Sequence, residues 1–214
     1  MFNFWRDTTG VVVFQYAVVL PIFLLVTMGT VDIAYMLFEW DLANKATYVG
    51  ARTAAVSNPV AQHITDNTSL NYTQVQIDHI NQACFNFSTG APTDWGCPST
   101  GLVTCTSSAC TPNTYGFDSS AFTNVNGTGI FDRMKAVFPR LQVENVTVTY
   151  QTNGSGFVGR PGGLPMNITV SITGMTHEFF FVPSLVGVFG GAFSRTKQIP
   201  PFSTTMQSED MVTN

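Results

Sequence analysis

The stretch VVVFQYAVVLPIFLLVTMGTV, residues 11–31, contains no charged residue and is rich in Val, Leu, Ile and Phe. As an α-helix it would cover roughly 31 Å, which is close to the hydrocarbon thickness of a bilayer. A signal-peptide core has about 7 to 15 apolar residues followed by a small-residue cleavage site, so this stretch is too long for one. A buried helix of a soluble domain is the weaker alternative on length. The sequence therefore predicts one membrane-spanning helix.

This helix is predicted to continue beyond the membrane. The stretch FEWDLANKATYVGARTAAVSNP, residues 38–59, has no helix breaker before its final Asn-Pro pair. We therefore expect one continuous helix from about Thr9 to Ser57, roughly 70 Å long. Asp32 is the first charged residue after the apolar run and falls near the far boundary of the span, where a carboxylate is less costly than at the bilayer centre.

The composition is that of an exported domain rather than a cytosolic enzyme. Charged residues make up only 10% of the chain, against about 25% in ordinary soluble domains. The net charge is −4, and no basic stripe is present that could neutralise phosphates. Nucleic acid is therefore not an expected partner.

The four cysteines lie close together in a region crowded with Gly, Pro, Ser and Thr: Cys84, Cys97, Cys105 and Cys110. They lack the short C-x-x-C steps of a zinc site, and no His lies among them. An even number of cysteines in a loop-rich exported segment predicts two disulfides. Three pairings are open, and we favour Cys84–Cys97 with Cys105–Cys110 because small loops close with little loss of entropy.

The cysteines also indicate the orientation of the chain. Arg6 lies on one side of the span, and Lys45 and Arg52 lie close on the other, so the distribution of positive charge does not decide. Disulfides persist in oxidising compartments. We therefore expect the large domain outside the cytoplasm and the amino terminus inside it.

Residue periodicity after the long helix predicts short helices followed by an antiparallel sheet. Helical spacing covers residues 75–87 and 130–138, and the region from Ser88 to Ser120 is predicted as loop. Alternation with a period of two predicts strands over residues 143–150 and 166–172. Further strand candidates are HEFFFVP (177–183) and TKQIPPFSTTMQ (196–207). The fold class is therefore α+β.

Three parts follow from this pattern. Residues 1–10 form a leader-like segment on the cytoplasmic side. Residues 11–58 form the transmembrane helix and its periplasmic extension. Residues 59–214 form one periplasmic α+β domain, with the cysteine-containing loop region at 84–110.

Two motifs that suggest enzymes do not have the context that an enzyme needs. Gly154, Gly156 and Gly159 form G-x-G-x-x-G, but a second predicted strand follows them instead of the helix that holds a pyrophosphate. His63, His79 and His177 are scattered, and a lone His on a polar helix face is usually solvated. We therefore expect a hairpin loop at the glycines, and no catalytic residue, cofactor site, metal site or small-molecule substrate.

A second apolar stretch, FFFVPSLVGVFGGAF at residues 179–193, is interrupted by Pro183 and glycines and is shorter than a span. We interpret it as core, or as a patch at the membrane surface, rather than as a second crossing.

Seven asparagines stand in N-x-S/T sequons, which is more than this composition gives by chance and is compatible with a eukaryotic glycoprotein. They are Asn67, Asn71, Asn86, Asn126, Asn145, Asn153 and Asn167. Asn145 and Asn167 lie in or beside predicted strands, however, and the front of the chain points to bacteria.

The opening segment resembles the TadE-like family, small pilin-like proteins of bacterial tight-adherence pilus systems. Members carry a short polar leader ending in Gly, an apolar run with LP, and a small-residue helix with GAR. The corresponding stretches are MFNFWRDTTG (1–10), VVVFQYAVVLP (11–21) and YVGARTAA (48–55). The hairpin GFVGRPGGLP (156–165) and the tail PPFSTTMQSEDM (200–211) are also similar to the family.

The resemblance implies a bacterial inner-membrane location and cleavage after Gly10 by a membrane aspartyl peptidase, which would leave Val11 as the new amino terminus. The fifth residue after the cut is usually Glu in this family, and here it is Gln15. A neutral amide inserts into a bilayer more cheaply than a carboxylate, but it cannot form an ion pair with a buried ammonium.

Two roles follow from the resemblance. One is a non-enzymatic, pilin-like component of pilus assembly, whose partners are the lipid bilayer and other membrane helices or pilin-like subunits. The alternative is an uncleaved accessory subunit of a larger inner-membrane complex, which the departure at Gln15 favours.

Overall fold

The computed structural model describes residues 8–65, 73–86, 88–97, 101–159, 164–188, 190–208 and Met211. The chain divides into two compact units, each made of two segments of sequence. One unit combines Met1–Trp40 with Thr176–Ile199, and the other combines Asp41–Met175 with Pro200–Asn214.

The long amino-terminal helix α1 runs from Thr8 to Val56, over 49 residues. The predicted bounds, Thr9 and Ser57, differ from these by one residue at each end. The helix ends just before Asn58-Pro59, since a residue that precedes proline is disfavoured in the helical region. In the apolar part, Thr27 Oγ1 donates to carbonyls of the preceding turn, 2.9 Å from Leu24 O, so its hydroxyl does not need water.

The larger unit is built on a five-stranded antiparallel sheet. Its strands are β3 (Leu102–Cys105), β4 (Cys110–Thr111), β5 (Val146–Thr152), β6 (Met166–Ile172) and β9 (Phe202–Gln207), in the order β4-β3-β5-β6-β9. In the central pair, Val146 of β5 lies opposite Ile172 of β6, and Thr152 lies opposite Met166. The predicted α+β class with an antiparallel sheet is confirmed.

The alternation along β5 and β6 buries one face of the sheet. Val146, Val148 and Tyr150 are buried on β5, and Thr147 and Thr149 between them are half-buried. The carboxyl-terminal part of α1 lies against this core: a side chain on Gly50 would meet Met134 and Val170. Small residues lie in this packed part of α1, where Ala51 and Ala54 are fully buried.

The remaining helices of this unit are short, and two predictions were wrong here. The helix expected over residues 75–87 is only α2 (Gln74–Ile77), because Asn81 adopts a left-handed backbone with φ of 67° and the chain turns there. The region from Ser88 to Ser120, expected to be loop, contains β3 and β4. Even the longer of these, β3, has only four residues, which is too short to give a period-two signal. The other short elements are β1 (Phe85–Asn86), β2 (Ala91–Pro92), α3 (Ser119–Phe122) and α4 (Ile130–Val137).

The smaller unit combines the amino-terminal part of α1 with two short strands and a helix. Strand β7 (Thr176–Glu178) pairs antiparallel with β8 (Thr196–Gln198), and helix α5 (Val182–Val188) lies between them in sequence. The strand predicted over 177–183 is therefore shorter than expected, since its second half turns into α5. Proline is tolerated in a first helical turn, which allows Pro183 at this position.

Candidate functional site: an apolar span with a polar junction

The apolar part of α1 presents bare hydrophobic side chains. Phe14 and Tyr16 are each 70% exposed, and Phe23 is 61% exposed. Among the described residues, one helix, Val12–Val56, is long and apolar enough to cross a membrane. Exposing an apolar surface of this extent to water is unfavourable, so α1 fits a single-pass membrane protein.

The residues singled out for processing lie at the start of this span. Gly10 and Val11 are in the first turn of α1, and Gln15 follows one turn later with its side chain exposed. Space around Gly10 is open, because a Cβ placed there would meet nothing within 4 Å. The side chain of Gln15 is therefore presented on the outer surface of the helix, where it could face a neighbouring helix.

Asp32 is placed at the end of the apolar run, as expected, but its surroundings were not predicted. Its carboxylate accepts three backbone hydrogen bonds: from Phe180 N at 3.3 Å, from Phe181 N at 2.8 Å and from Val182 N at 2.9 Å. Asp32 is only 2% exposed. These donors precede and begin α5, where the first N–H groups of a helix lack partners, so the carboxylate and the helix start satisfy one another.

A second acid of α1, Glu39, lies two helical turns beyond Asp32 and binds His177, which precedes α5 in the chain. Its Oε2 lies 2.6 Å from Nδ1 of His177, and both side chains are almost fully buried. The expectation of a solvated His is therefore wrong for His177. In the described part of the chain, His177 Nε2 has no hydrogen-bond partner.

Aromatic rings fill the space between these two polar contacts. Tyr35 lies with its ring centre 5.8 Å from that of His177 and 6.4 Å from that of Phe180. Phe179 contacts His177 edge-on at 4.7 Å. We call Asp32, Tyr35 and Glu39 of α1, together with residues 176–182, the polar junction. It ties residues 176–182 to the part of α1 where the apolar run ends.

Sequence reasoning missed the polar junction because its parts are about 140 to 150 positions apart. One local signal was available. The segment FFFVP needs an acceptor for the free N–H groups of the helix that starts there, and no Ser, Thr, Asp or Asn precedes it at the capping position. An acceptor from elsewhere, such as a side chain distant in sequence or water, was therefore to be expected.

The cysteines form two disulfides in the larger unit, and the structure joins neighbours in sequence. Cys84 is bonded to Cys97 and Cys105 to Cys110. The second bond closes the hairpin of β3 and β4, in which the same two residues are directly opposite. Beside the first bond, Trp95 Nε1 donates to Ala83 O at 3.1 Å.

The histidines and glycines have separate surroundings. His79 stacks on Trp95 with ring centres 4.2 Å apart, and His63 adopts a left-handed backbone. Within the ranges that the structure describes, no three His, Cys, Asp or Glu residues lie close enough to hold a metal ion. Gly154, Gly156 and Gly159 have positive φ and lie in the connection from β5 to β6, as expected for a hairpin loop.

Comparison with protein families finds a match over part of the chain. The model of the family described as TadE-like protein matches residues 10–52, which contain the exposed apolar helix and its small-residue continuation. The resemblance seen in the sequence is confirmed over this segment. Comparison with curated proteins and with solved structures gave no match.

Proposed function

We propose that this chain, whose residues 10–52 match the TadE-like family, is a non-enzymatic, pilin-like component of tight-adherence pilus assembly. It spans the bacterial inner membrane once through the apolar part of residues 11–58, and the rest of that helix extends into the periplasm. Its leader-like segment, 1–10, lies in the cytoplasm, and its α+β domain, 59–214, lies in the periplasm.

One observation carries the proposal: the family match coincides with the exposed apolar surface of α1. A helix of this kind can associate laterally with lipid and with other helices. The two disulfides support the oxidising side for the domain, because such bonds do not persist in a reducing cytoplasm.

The test is removal of the coding sequence from the native bacterium. We expect loss of surface pili, seen by electron microscopy, and restoration by the full chain in trans. A matched complementing variant, Ile22→Asp, places a charge in the span and should fail to restore pili. Normal piliation without the chain would contradict the proposal.

A second role, an uncleaved accessory subunit of a larger membrane complex, is favoured by Gln15. Where the family usually has Glu, this amide cannot form an ion pair with the free amine of a processed neighbour. A hydrogen bond from Gln15 across a helix pair is worth about 0.6 kcal/mol and at most about 1.7 kcal/mol in a membrane, so it could orient the helix without holding it.

Intact-mass measurement on protein from native membranes separates the two roles. A chain that begins at Val11 supports the processed, pilin-like role and contradicts the uncleaved subunit. A chain that retains residues 1–10 supports the accessory subunit. The variant Gln15→Glu, with Gln15→Ala as its control, then tests whether a carboxylate at this position restores processing or assembly.

A further inference from the structure

We propose that residues 179–193, the aromatic segment, lie in the headgroup region of the same bilayer that α1 crosses, on the side where α1 leaves the hydrocarbon core. The proposal rests on the proposed membrane span. It assigns a second contact with lipid to the chain, separate from the span itself.

The first argument is the position of the segment relative to α1. Three consecutive N–H groups, from Phe180 to Val182, bind the carboxylate of Asp32. Asp32 is the first charged residue after the uncharged apolar run of residues 11–31. The aromatic segment is therefore held at the level where the hydrocarbon core ends and the headgroups begin.

The second argument is the surface that the segment presents. Phe180 is 59% exposed, Phe181 is 42% exposed and Phe193 is 36% exposed. The segment contains no charged residue. Rings left bare beside a membrane span are explained by lipid contact, because aromatic side chains favour the interface of a bilayer.

The third argument is length. Fifteen residues cover at most about 22 Å as a helix, which is too short to cross the core. Among the described residues of this segment, only Val182–Val188 is helical, and Pro183 and three glycines interrupt the stretch. An apolar segment with these properties lies in the membrane surface rather than across it.

The fourth argument is the charge that follows the segment. Arg195 and Lys197 are exposed, and Lys197 Nζ lies 5.4 Å from the ring centre of Phe193. Long basic side chains keep their stems on apolar surface and extend their charge to anionic headgroups. The apolar face and the adjacent cations match a bilayer that contains anionic lipid.

Spin labels on introduced cysteines test the proposal, since all four native cysteines are in disulfides. The full chain is placed in vesicles of phosphatidylethanolamine and phosphatidylglycerol, with a label at Phe180→Cys. The backbone N–H of residue 180 is kept in this variant. Collision rates with oxygen, which dissolves in lipid, and with a nickel chelate, which stays in water, report the surroundings of the label.

Two matched positions in the same unit calibrate the result. Ile22→Cys lies on the exposed apolar part of α1. Thr176→Cys is exposed on β7, next to His177, and His177 binds Glu39. Glu39 is seven residues beyond Asp32, which is about 10 Å further along the axis of α1. Phe181→Cys repeats the measurement in case loss of the contact between Phe180 and Tyr35 disturbs the fold.

We expect the ratio of oxygen to nickel collisions at positions 180 and 181 to exceed that at 176 several-fold and to stay below that at 22, because the headgroup region lies between water and the hydrocarbon core. Equal ratios at 180, 181 and 176 would place the segment in water and overturn the proposal. Low collision rates with both reagents would also overturn it, because the rings would then be covered by protein. High nickel collision at position 22 would show that the span itself is wrong, and the proposal would fall with it.

Discussion

At the scale of single residues, the most informative side chain is Asp32. An acid at the edge of an apolar run usually marks only the end of a membrane span. Here the carboxylate is buried and accepts three backbone N–H groups from residues almost 150 positions away. Within the described residues, the carboxylate is held by these backbone donors rather than by a cation.

Asp32→Ala is expected to loosen the start of α5. A hydrogen bond to a charged group is worth about 1.5–3 kcal/mol, and three donors lose their acceptor. Hydrogen exchange in detergent should therefore speed up at the amides of Phe181 and Val182 by a factor of ten or more. Asp32→Asn keeps an acceptor oxygen and should show a smaller effect.

The control for this experiment is Asp41→Ala. Asp41 forms an exposed pair with Lys45 one turn away, and such surface pairs contribute little. Exchange around α5 should not change in this variant. Unchanged exchange in Asp32→Ala as well would show that the carboxylate does not hold the segment.

A second residue with a measurable consequence is Tyr150, whose hydroxyl accepts a hydrogen bond from Val60 N at 2.9 Å. Complete burial raises the pKa of Tyr150 above its usual value of 10.0, and the hydrogen bond from Val60 opposes this in part. A raised pKa in the folded state means that this group stabilises the fold fully below pH 10 and that the contribution is lost as pH rises further.

Urea unfolding between neutral and strongly alkaline pH tests this. The wild-type chain should lose stability above pH 10 more steeply than Tyr150→Phe, by up to about 1.4 kcal/mol per pH unit. Near neutral pH the variant should be less stable by about 1–3 kcal/mol, because Val60 N loses its acceptor. Tyr48→Phe, at an exposed position, is the control and should follow the wild-type slope.

At the scale of elements, α1 has two different surfaces in one continuous helix. Its amino-terminal part is apolar and exposed, whereas its carboxyl-terminal part buries small residues against the sheet and α4. One continuous helix therefore presents exposed apolar side chains at one end and packs in a protein core at the other. Side-chain size makes the difference, since only small residues let the helix backbone approach the sheet closely.

Gly50→Leu should destabilise the larger unit. A Cβ at this position would lie 3.2 Å from Val170 Cγ1 and closer still to Met134, so a larger side chain forces the core apart. Overpacking of this kind costs about 1–3 kcal/mol, which exceeds the gain in helix propensity of about 1 kcal/mol. Thermal unfolding followed by near-ultraviolet circular dichroism measures the loss. Gly29→Leu meets open space and should leave this transition unchanged.

At the scale of the whole molecule, the apolar helix and the disulfides both bear on the cellular compartment of the larger unit. The apolar part of α1 fits a single-pass membrane protein, and the larger unit carries both disulfides. A domain of this kind matures where thiols are oxidised. Both features fit the location outside the cytoplasm that we propose for the larger unit.

Alkylation of the unfolded chain without reductant should therefore label none of the four cysteines in protein from native membranes. After reduction, intact mass should show four added groups. Removing the bond from Cys84 to Cys97 should cost about 3 kcal/mol in the chain-entropy description, and the shorter loop from Cys105 to Cys110 should cost less. Four reactive thiols before reduction would contradict both the pairing and the proposed periplasmic location.

The sequence by itself determined what depends on local pattern. The long helix follows from an uncharged apolar run with no breaker before Asn58-Pro59, and the paired strands β5 and β6 follow from alternation over seven residues each. Such signals are local, because burial repeats with the period of the element itself. The hairpin character of the Gly154 loop followed for the same reason.

Only the tertiary structure decided what depends on contact between distant segments. The strand β3 is too short to have a period, and it forms because β5 offers a partner edge. The burial of His177 against Glu39, and the capture of the start of α5 by Asp32, join segments that no local pattern connects. A buried polar group must find a partner somewhere, but the sequence does not say where, because that choice is made by the packing of the whole unit.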